Sequence, residues 1–397
     1  MYRLSRIHFL SGFLVLLVGL AACGEAKKDA PPAVNTSQSG DWRAAAEAAA
    51  SRGATWLSQN AKDGKWTFQP ETPPDLGISS LAARAILERG SATEKSNLAS
   101  TVEWIAGHQK PDGSIYDRDL AVYVTSAAIG VFYALGDGKY QAVLKKAGDY
   151  LAMVQEDEGE GKASSSEDYG GVGYGGSGVI NMSTTNMAIE AASEAGLAKD
   201  HEFYKKALVY LQRSQNLSET NDLKERPKVD GVEISVGNDG GGIYRPAESK
   251  AGVAELPGGR KVFRSYGSMT YALLKSYLLC DLDHRDPRVR AAIAWIKDHY
   301  ELDFNPGMEH TGKPEERYQG LYYYYLTLAR CLNQAERARV VLPEEIQNWR
   351  QDLAQAINQR QRADGSWSNE QGRWWESSPP LATSYAVLAL GECLKAP

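Results

Sequence analysis

Disulfides cannot hold this chain together. Its 397 residues contain four cysteines. One, Cys23, belongs to a leader, and Cys280, Cys331 and Cys393 are an odd set near the ends of predicted helices, where buried free thiols are expected. A basic stripe is also missing. The net charge is -6, so nucleic acid is not an expected partner. Strand signals are nearly absent, and no Gly-x-Ser-x-Gly elbow occurs. Gly170-Gly171-Val172-Gly173-Tyr174-Gly175 lacks the Lys-Ser/Thr of a phosphate loop and the strand before it, and reads as a flexible lid. Cys280, Asp281 and His284 fall at the far rim and do not match the closed sets of zinc sites. No metal and no cofactor is assigned.

The N-terminus reads as an address label. Arg3 and Arg6 give a positive start, and Ile7 to Leu20 is apolar but shorter than the about 20 residues that span a bilayer. Leu20-Ala21-Ala22-Cys23 then resembles a bacterial lipobox, which makes Cys23 the lipidated residue. Several acyl chains on one cysteine anchor stably where a single chain does not. The expected organisation is a signal peptide over 1–22, a lipidated, disordered tether over 23–40 reaching on the order of 20 Å, and one domain over 41–397. The expected location is the bacterial cell envelope. The chain would be held to a membrane through its N-terminal lipid, on the outer side of the inner membrane or at the outer membrane.

What is abundant is repetition. Gln109-Lys110-Pro111-Asp112-Gly113-Ser114-Ile115 and Gln361-Arg362-Ala363-Asp364-Gly365-Ser366-Trp367 are clear copies of one phrase, and Gln59 to Trp66 is a looser one. Each follows a helical stretch and precedes a run led by small or hydroxyl residues, such as Thr125-Ser126-Ala127-Ala128 and Thr383-Ser384-Tyr385-Ala386. Recurrence at tens of residues means stacked helical hairpins that bury each other's apolar faces. Apolar periodicity and start signals place outer helices near 42–60, 94–108, 138–155, 199–214, 286–300 and 343–361. Inner helices fall near 77–90, 120–136, 182–196, 265–281, 316–333 and 380–395. Ser91 with Glu94 forms a capping box, and Asp286 before Pro287 an N-cap. The inner helices are apolar nearly all round, as expected of helices packed on both sides. The fold expected is all-α: an (α/α)6 toroid, a ring of inner helices inside a ring of outer ones.

The Gln-x-x-Asp-Gly-Ser-Trp phrase at Gln361–Trp367 resembles the QW repeats of squalene and oxidosqualene cyclases. Gly240-Gly241-Gly242-Ile243-Tyr244, followed by Ser265 to Tyr271, resembles the β subunit of protein prenyltransferases. These families share the α/α toroid, and the resemblance runs from about 42 to 395. It implies the fold. The residues that carry the families' reactions do not accompany it: the Asp-x-Asp-Asp acid, the Asp-Cys-Thr-Ala-Glu motif, the zinc ligands and the thioester motif are all missing. Whether the chain is an enzyme is therefore left open.

Parallel inner helices direct their positive dipole ends at one rim. That rim also receives two long loops, Glu156 to Ile180 and Asn216 to Arg264. Arg264, Arg317 and Arg373 precede inner helices there and would suit an anionic group such as a diphosphate; the competing reading pairs them with Glu315, Glu316 or Glu376. Tyr174, Tyr244, Tyr266, Tyr271, Tyr318, Trp374 and Trp375 crowd the same end. Helical rotation puts Tyr318, Tyr322 and Tyr325 on one face. The candidate ligand-binding set is Arg264, Tyr266, Arg317, Tyr318, Tyr322, Arg373 and Trp375. Candidate acids are Asp75, Asp168 and Glu376, although helix dipoles favour acids at these positions in any case.

The function expected is an exported, lipid-anchored repeat protein that binds an apolar or mixed ligand, such as an isoprenoid, another lipid or a glycan, in a central aromatic-lined cavity. An isoprenoid cyclase- or transferase-like enzyme using a non-standard acid is one alternative. A polysaccharide-acting (α/α)6 enzyme is the other.

Overall fold

A computed structural model describes residues 41–396 except 176–177, 224–225 and 227. The leader, Cys23 and the tether lie outside the described residues. No helix among those described is long and apolar enough to cross a membrane.

The outer helices are α1 (Trp42–Gln59), the pair α3 (Ala92–Ser96) and α4 (Ala99–Ala106), α6 (Gln141–Met153), α8 (Glu202–Arg213), α10 (Pro287–Asp298) and α12 (Trp349–Asn358). The inner helices are α2 (Leu76–Arg89), α5 (Ala121–Leu135), α7 (Met182–Glu194), α9 (Gly267–Leu279), α11 (Leu321–Arg337) and α13 (Pro379–Leu394). Each inner helix packs on the next, and α13 packs on both α1 and α2, so the ring closes. The fold is the expected all-α toroid.

Side chains in the turns explain why the hairpins stack. Gln109 Nε2 donates to Gly113 O in its own turn at 3.2 Å and to Val143 O in the next outer helix at 2.9 Å. Gln155 bridges Gly170 O and Phe203 O, and Gln215 bridges Gly240 O and Arg288 O. Gln361 bridges Gly365 O and Ala49 O, which joins the last hairpin to the first. A hydroxyl near the start of five of the six inner helices, all but α11, has a matching duty. Ser79, Thr125, Thr185, Thr270 and Thr383 each accept the backbone N–H of a turn residue at 2.9–3.0 Å. Gly365 takes φ +93, a conformation that costs a Cβ-bearing residue. Trp66 and Trp367 are fully buried, with their indole N–H groups on Leu57 O and Ile357 O.

Three expectations change. The helix expected over 94–108 is two helices, although its Ser91–Glu94 capping box is present. Inner helix five starts at Leu321 instead of 316, because Gly320 at φ +67 separates it from a short 3-10 turn, Pro314–Tyr318. The insertion over 216–264 folds a small sheet, β1 (Ile234–Ser235), β2 (Val253–Glu255) and β3 (Lys261–Phe263), in the order β1-β3-β2. β1 runs parallel and β2 antiparallel to β3.

Toward their C-terminal ends the inner helices fill the lumen with charge. Arg84 of α2 bonds Glu88 at 2.9 Å and Glu194 of α7 at 2.6 Å. Lys275 of α9 and Arg330 of α11 both reach Glu190 of α7, at 2.6 and 3.2 Å. Glu392 of α13 faces Arg330 and holds Lys395. Helix α5 contributes Gly130, where a Cβ would collide with the Arg84 guanidinium. Burial alone would raise the Glu88 carboxyl; Arg84 beside it outweighs that and lowers it.

Candidate ligand-binding well

At the opposite end the lumen opens into a cavity of about 270 Å³. The first turns of all six inner helices line it: Gly77, Ile78 and Leu81 of α2, Tyr123, Val124 and Ala127 of α5, Ser183 and Met187 of α7, Ser268 and Met269 of α9, Tyr323 of α11, and Leu381 and Tyr385 of α13. Loops add Phe68, Tyr174, Tyr244, Tyr266, Trp374 and Trp375. The wall is aromatic and aliphatic. Over the two turns from Leu120 to Ala127 it is roughly 10 Å deep.

Hydroxyls on the wall bond to one another. Tyr123 Oη lies 2.5 Å from Ser183 Oγ, which donates to Tyr323 Oη at 3.0 Å. Tyr174 Oη and Tyr244 Oη are 2.8 Å apart. Burial pushes the Tyr123, Tyr244, Tyr266 and Tyr385 phenols up, so they stay neutral.

The charged lining is acidic: Asp75, Asp117, Asp119 and Glu376 against Arg118. Arg118 is already engaged by Asp75 at 3.2 Å and Asp117 at 3.4 Å. Asp75 also caps α2 through Ile78 N at 2.8 Å. Glu376 is buried and serves the start of α11 from outside it. Its carboxylate accepts Tyr322 N at 3.2 Å, Tyr323 N at 2.8 Å and Asn369 Nδ2 at 2.8 Å. Burial raises its pKa to about 7 in spite of these donors.

Of the residues singled out from sequence, Asp75, Glu376, Tyr174, Tyr244, Tyr266, Trp374 and Trp375 line the well. The remaining candidates stand elsewhere. Asp168 lies in the turn before Gly170. Arg264 lines a separate pocket under the small sheet, with Asp239 and His299. Arg317 donates to Tyr318 Oη at 2.8 Å and lies over the Tyr318 ring. Arg373 donates to Gln319 Oε1 at 2.7 Å. None of these three arginines has an ion-pair partner among the described residues, so the competing acid pairing does not form, and none of the three lines the well. Tyr322 is buried against Tyr325 outside the well, and Tyr323 takes the lumen position. The reason is the helix start: with Gly320 breaking the chain, Tyr318 does not share a helical face with Tyr322. Tyr123, Ser183 and Tyr385 were not singled out. They lie in the first two turns of inner helices, and placing those turns on the lumen would have found them.

A sequence model of the squalene-hopene cyclase C-terminal domain matches residues 71–227. Among solved structures, the type II terpene cyclase MstE from Scytonema is similar in fold. A variant in complex with geranylgeranyl dihydroxybenzoate aligns with TM-score 0.56 at 11% identity, over 89% of this chain and 98% of that one. A variant without ligand gives 0.54 at 12%, over the same shares. A third, with the product merosterolic acid A, gives 0.53 at 14%, again over 89% and 98%. The chain shares the α/α-toroid fold of these cyclases. No curated protein matches it. This likeness is one of fold; what the well does must be argued from its own side chains.

Proposed function

We propose that this toroid is a binding protein of the bacterial cell envelope, tethered through Cys23, that holds a small isoprenoid-type ligand in its central well. The observation that carries this reading is the well itself: aromatic and aliphatic walls, with a layer of paired charges toward the other end of the inner helices. Its volume is at the lower edge of the about 300–1,000 Å³ usual for small-molecule sites. The isoprenoid class is supported by the neighbouring fold's complexes with geranylgeranyl dihydroxybenzoate and merosterolic acid A. A glycan is a poorer match, since chain-cleaving sites place two carboxylates across an open cleft, whereas Asp75 here is committed to Arg118 and its own helix.

Binding is favoured over turnover because each acid singled out has another duty. Asp75 and Glu376 both hold helix starts, and Asp168 is outside the well. One observation supports a second reading: Glu376, with its pKa raised to about 7, is an acid beside an apolar cavity, the setting in which a buried carboxyl can deliver a proton.

Cells expressing the full chain and Cys23→Ser are fractionated, and each protein is purified and its organic extract analysed by mass spectrometry. The wild type is expected in membranes with a prenyl compound bound, and Cys23→Ser in the soluble fraction with the same compound. Met187→Trp, which fills the well, should come out empty. A wild type that carries no prenyl compound and takes none up on titration overturns the reading. Conversion of an added prenyl substrate to a cyclic product, lost in Glu376→Gln, establishes the second reading instead.

A further inference from the structure

We infer that the well selects a neutral ligand bearing one hydroxyl or carbonyl oxygen, and that Tyr123, Ser183 and Tyr323 are the residues that recognise it; this rests on reading the well as a ligand site.

The three side chains come from three inner helices, α5, α7 and α11, and meet only because the ring closes. They are linked in series, Tyr123 Oη to Ser183 Oγ at 2.5 Å and Ser183 Oγ to Tyr323 Oη at 3.0 Å. Proton counting then gives their chemistry. Each hydroxyl brings one proton, and two bonds use two of the three. If the series runs from Tyr123 to Tyr323, the spare O–H is on Tyr323; reversed, it is on Tyr123. If both phenols donate to Ser183, it is on Ser183; in every arrangement the cluster keeps one O–H more than its own two bonds use. Asn186, which also takes a bond from Ser276 Oγ at 3.3 Å, and Thr327 stand beside Tyr323 as competing acceptors. Tyr323 is only partly buried and faces the well, so a ligand oxygen can accept the spare O–H in place of water.

Charge narrows the class. An anionic head would meet Asp75, Asp117, Asp119 and Glu376, with Arg118 already taken by two of them. The strongly cationic layer residues Arg84, Lys275 and Arg330 are each paired with glutamates. A diphosphate or carboxylate head therefore has no counter-ion in the well, while an alcohol or ketone needs none.

The test is calorimetric titration of the protein with farnesol, with farnesyl diphosphate and with the hydrocarbon farnesene. Wild type is expected to bind farnesol about five- to tenfold more tightly than farnesene, the worth of one added hydrogen bond, and the diphosphate most weakly. In the triple variant Tyr123→Phe, Ser183→Ala, Tyr323→Phe, which removes every proton of the cluster, the preference for farnesol should collapse while farnesene affinity stays within about twofold of wild type. The double variant Tyr123→Phe, Tyr323→Phe keeps both rings and Ser183 and should lower the preference, so the test does not depend on a single variant folding. Tyr244→Phe, in the other hydroxyl pair of the same well, should keep the preference. A preference that survives both triad variants, one that is lost in Tyr244→Phe, or tightest binding of the diphosphate overturns the inference and leaves the ligand well standing. Failure of both farnesol and farnesene to bind wild type removes the well as a prenyl site and this inference with it.

Discussion

Glu376 is pulled in two directions. Removal from water favours its neutral form, while Asn369 Nδ2 and the N–H groups at the start of α11 favour the carboxylate; burial wins, and the pKa stands at about 7 against an ordinary 4.5. The sign of the consequence follows. A carboxyl whose folded pKa lies above its unfolded value adds stability that is complete below about pH 4.5 and is lost as pH rises through about 7. The difference of about 2.5 pH units corresponds to roughly 3 kcal/mol between pH 4.5 and 8. Other acids raised in the same direction by desolvation, Asp239 and Asp352, contribute equally to wild type and variant and cancel in a comparison. Denaturant titrations at the two pH values should therefore show wild type losing roughly 3 kcal/mol more than Glu376→Gln. Parallel pH profiles would mean that the carboxyl titrates normally. At this scale the sequence was only partly legible. Glu376 and Tyr266 stand out as an acid and an aromatic before inner helices, but the choice of Tyr323 over Tyr322 depends on where α11 begins, and a glycine at φ +67 sets that.

The hairpins are joined by side chains whose partners are backbone atoms, so their loss leaves buried groups unpaired. Gln155 is buried and, among the described residues, supplies the only side-chain donor to Gly170 O and to Phe203 O. Thr185 receives Val172 N at 2.9 Å. Gln155→Ala and Thr185→Val should each destabilise the protein by about 1–3 kcal/mol, the cost of leaving such groups without partners. Urea unfolding measures this, and losses below about 0.5 kcal/mol, the range of ordinary surface changes, would show that the contacts do not carry the stacking. These contacts also explain what the sequence conceals. Gln109 and Gln361 stand four residues from the glycine they hold, so the phrase is visible. Gln155 and Gln215 do the same work across 15 and 25 residues, because insertions separate the glutamine from its glycine. The twelve helical stretches were legible, since capping residues and apolar spacing are local signals, but the break between α3 and α4 and the start of α11 were not. The three-stranded sheet was not: its strands of two or three residues are too short to show alternation.

Closure of the ring brings together charges that are far apart in the chain, and this decides which end of the lumen is open. Arg84 is the centre of the closed end. It reaches Glu88 on its own helix and Glu194 on α7, across a gap that Gly130 of α5 leaves for it. Desolvation opposes the charge on Arg84, and the two glutamates outweigh it. Such a layer need not add net stability, because taking ions out of water costs about as much as their attraction returns. It does make each member hard to remove alone. Arg84→Met should cost about 3–5 kcal/mol by stranding Glu194, and Glu194→Leu in the same protein should restore most of that loss, leaving Glu88 at the edge of the layer. The double variant keeps the floor closed with apolar side chains, so it should also keep the affinity of the well for a prenyl ligand, whereas the single variant should lose it as water enters from below. Thermal unfolding and ligand titration of the three proteins check both halves. A single variant as stable as wild type, or a double variant no more stable than the single, would show that the charges are independent of one another and that the closed end owes its form to helix packing alone.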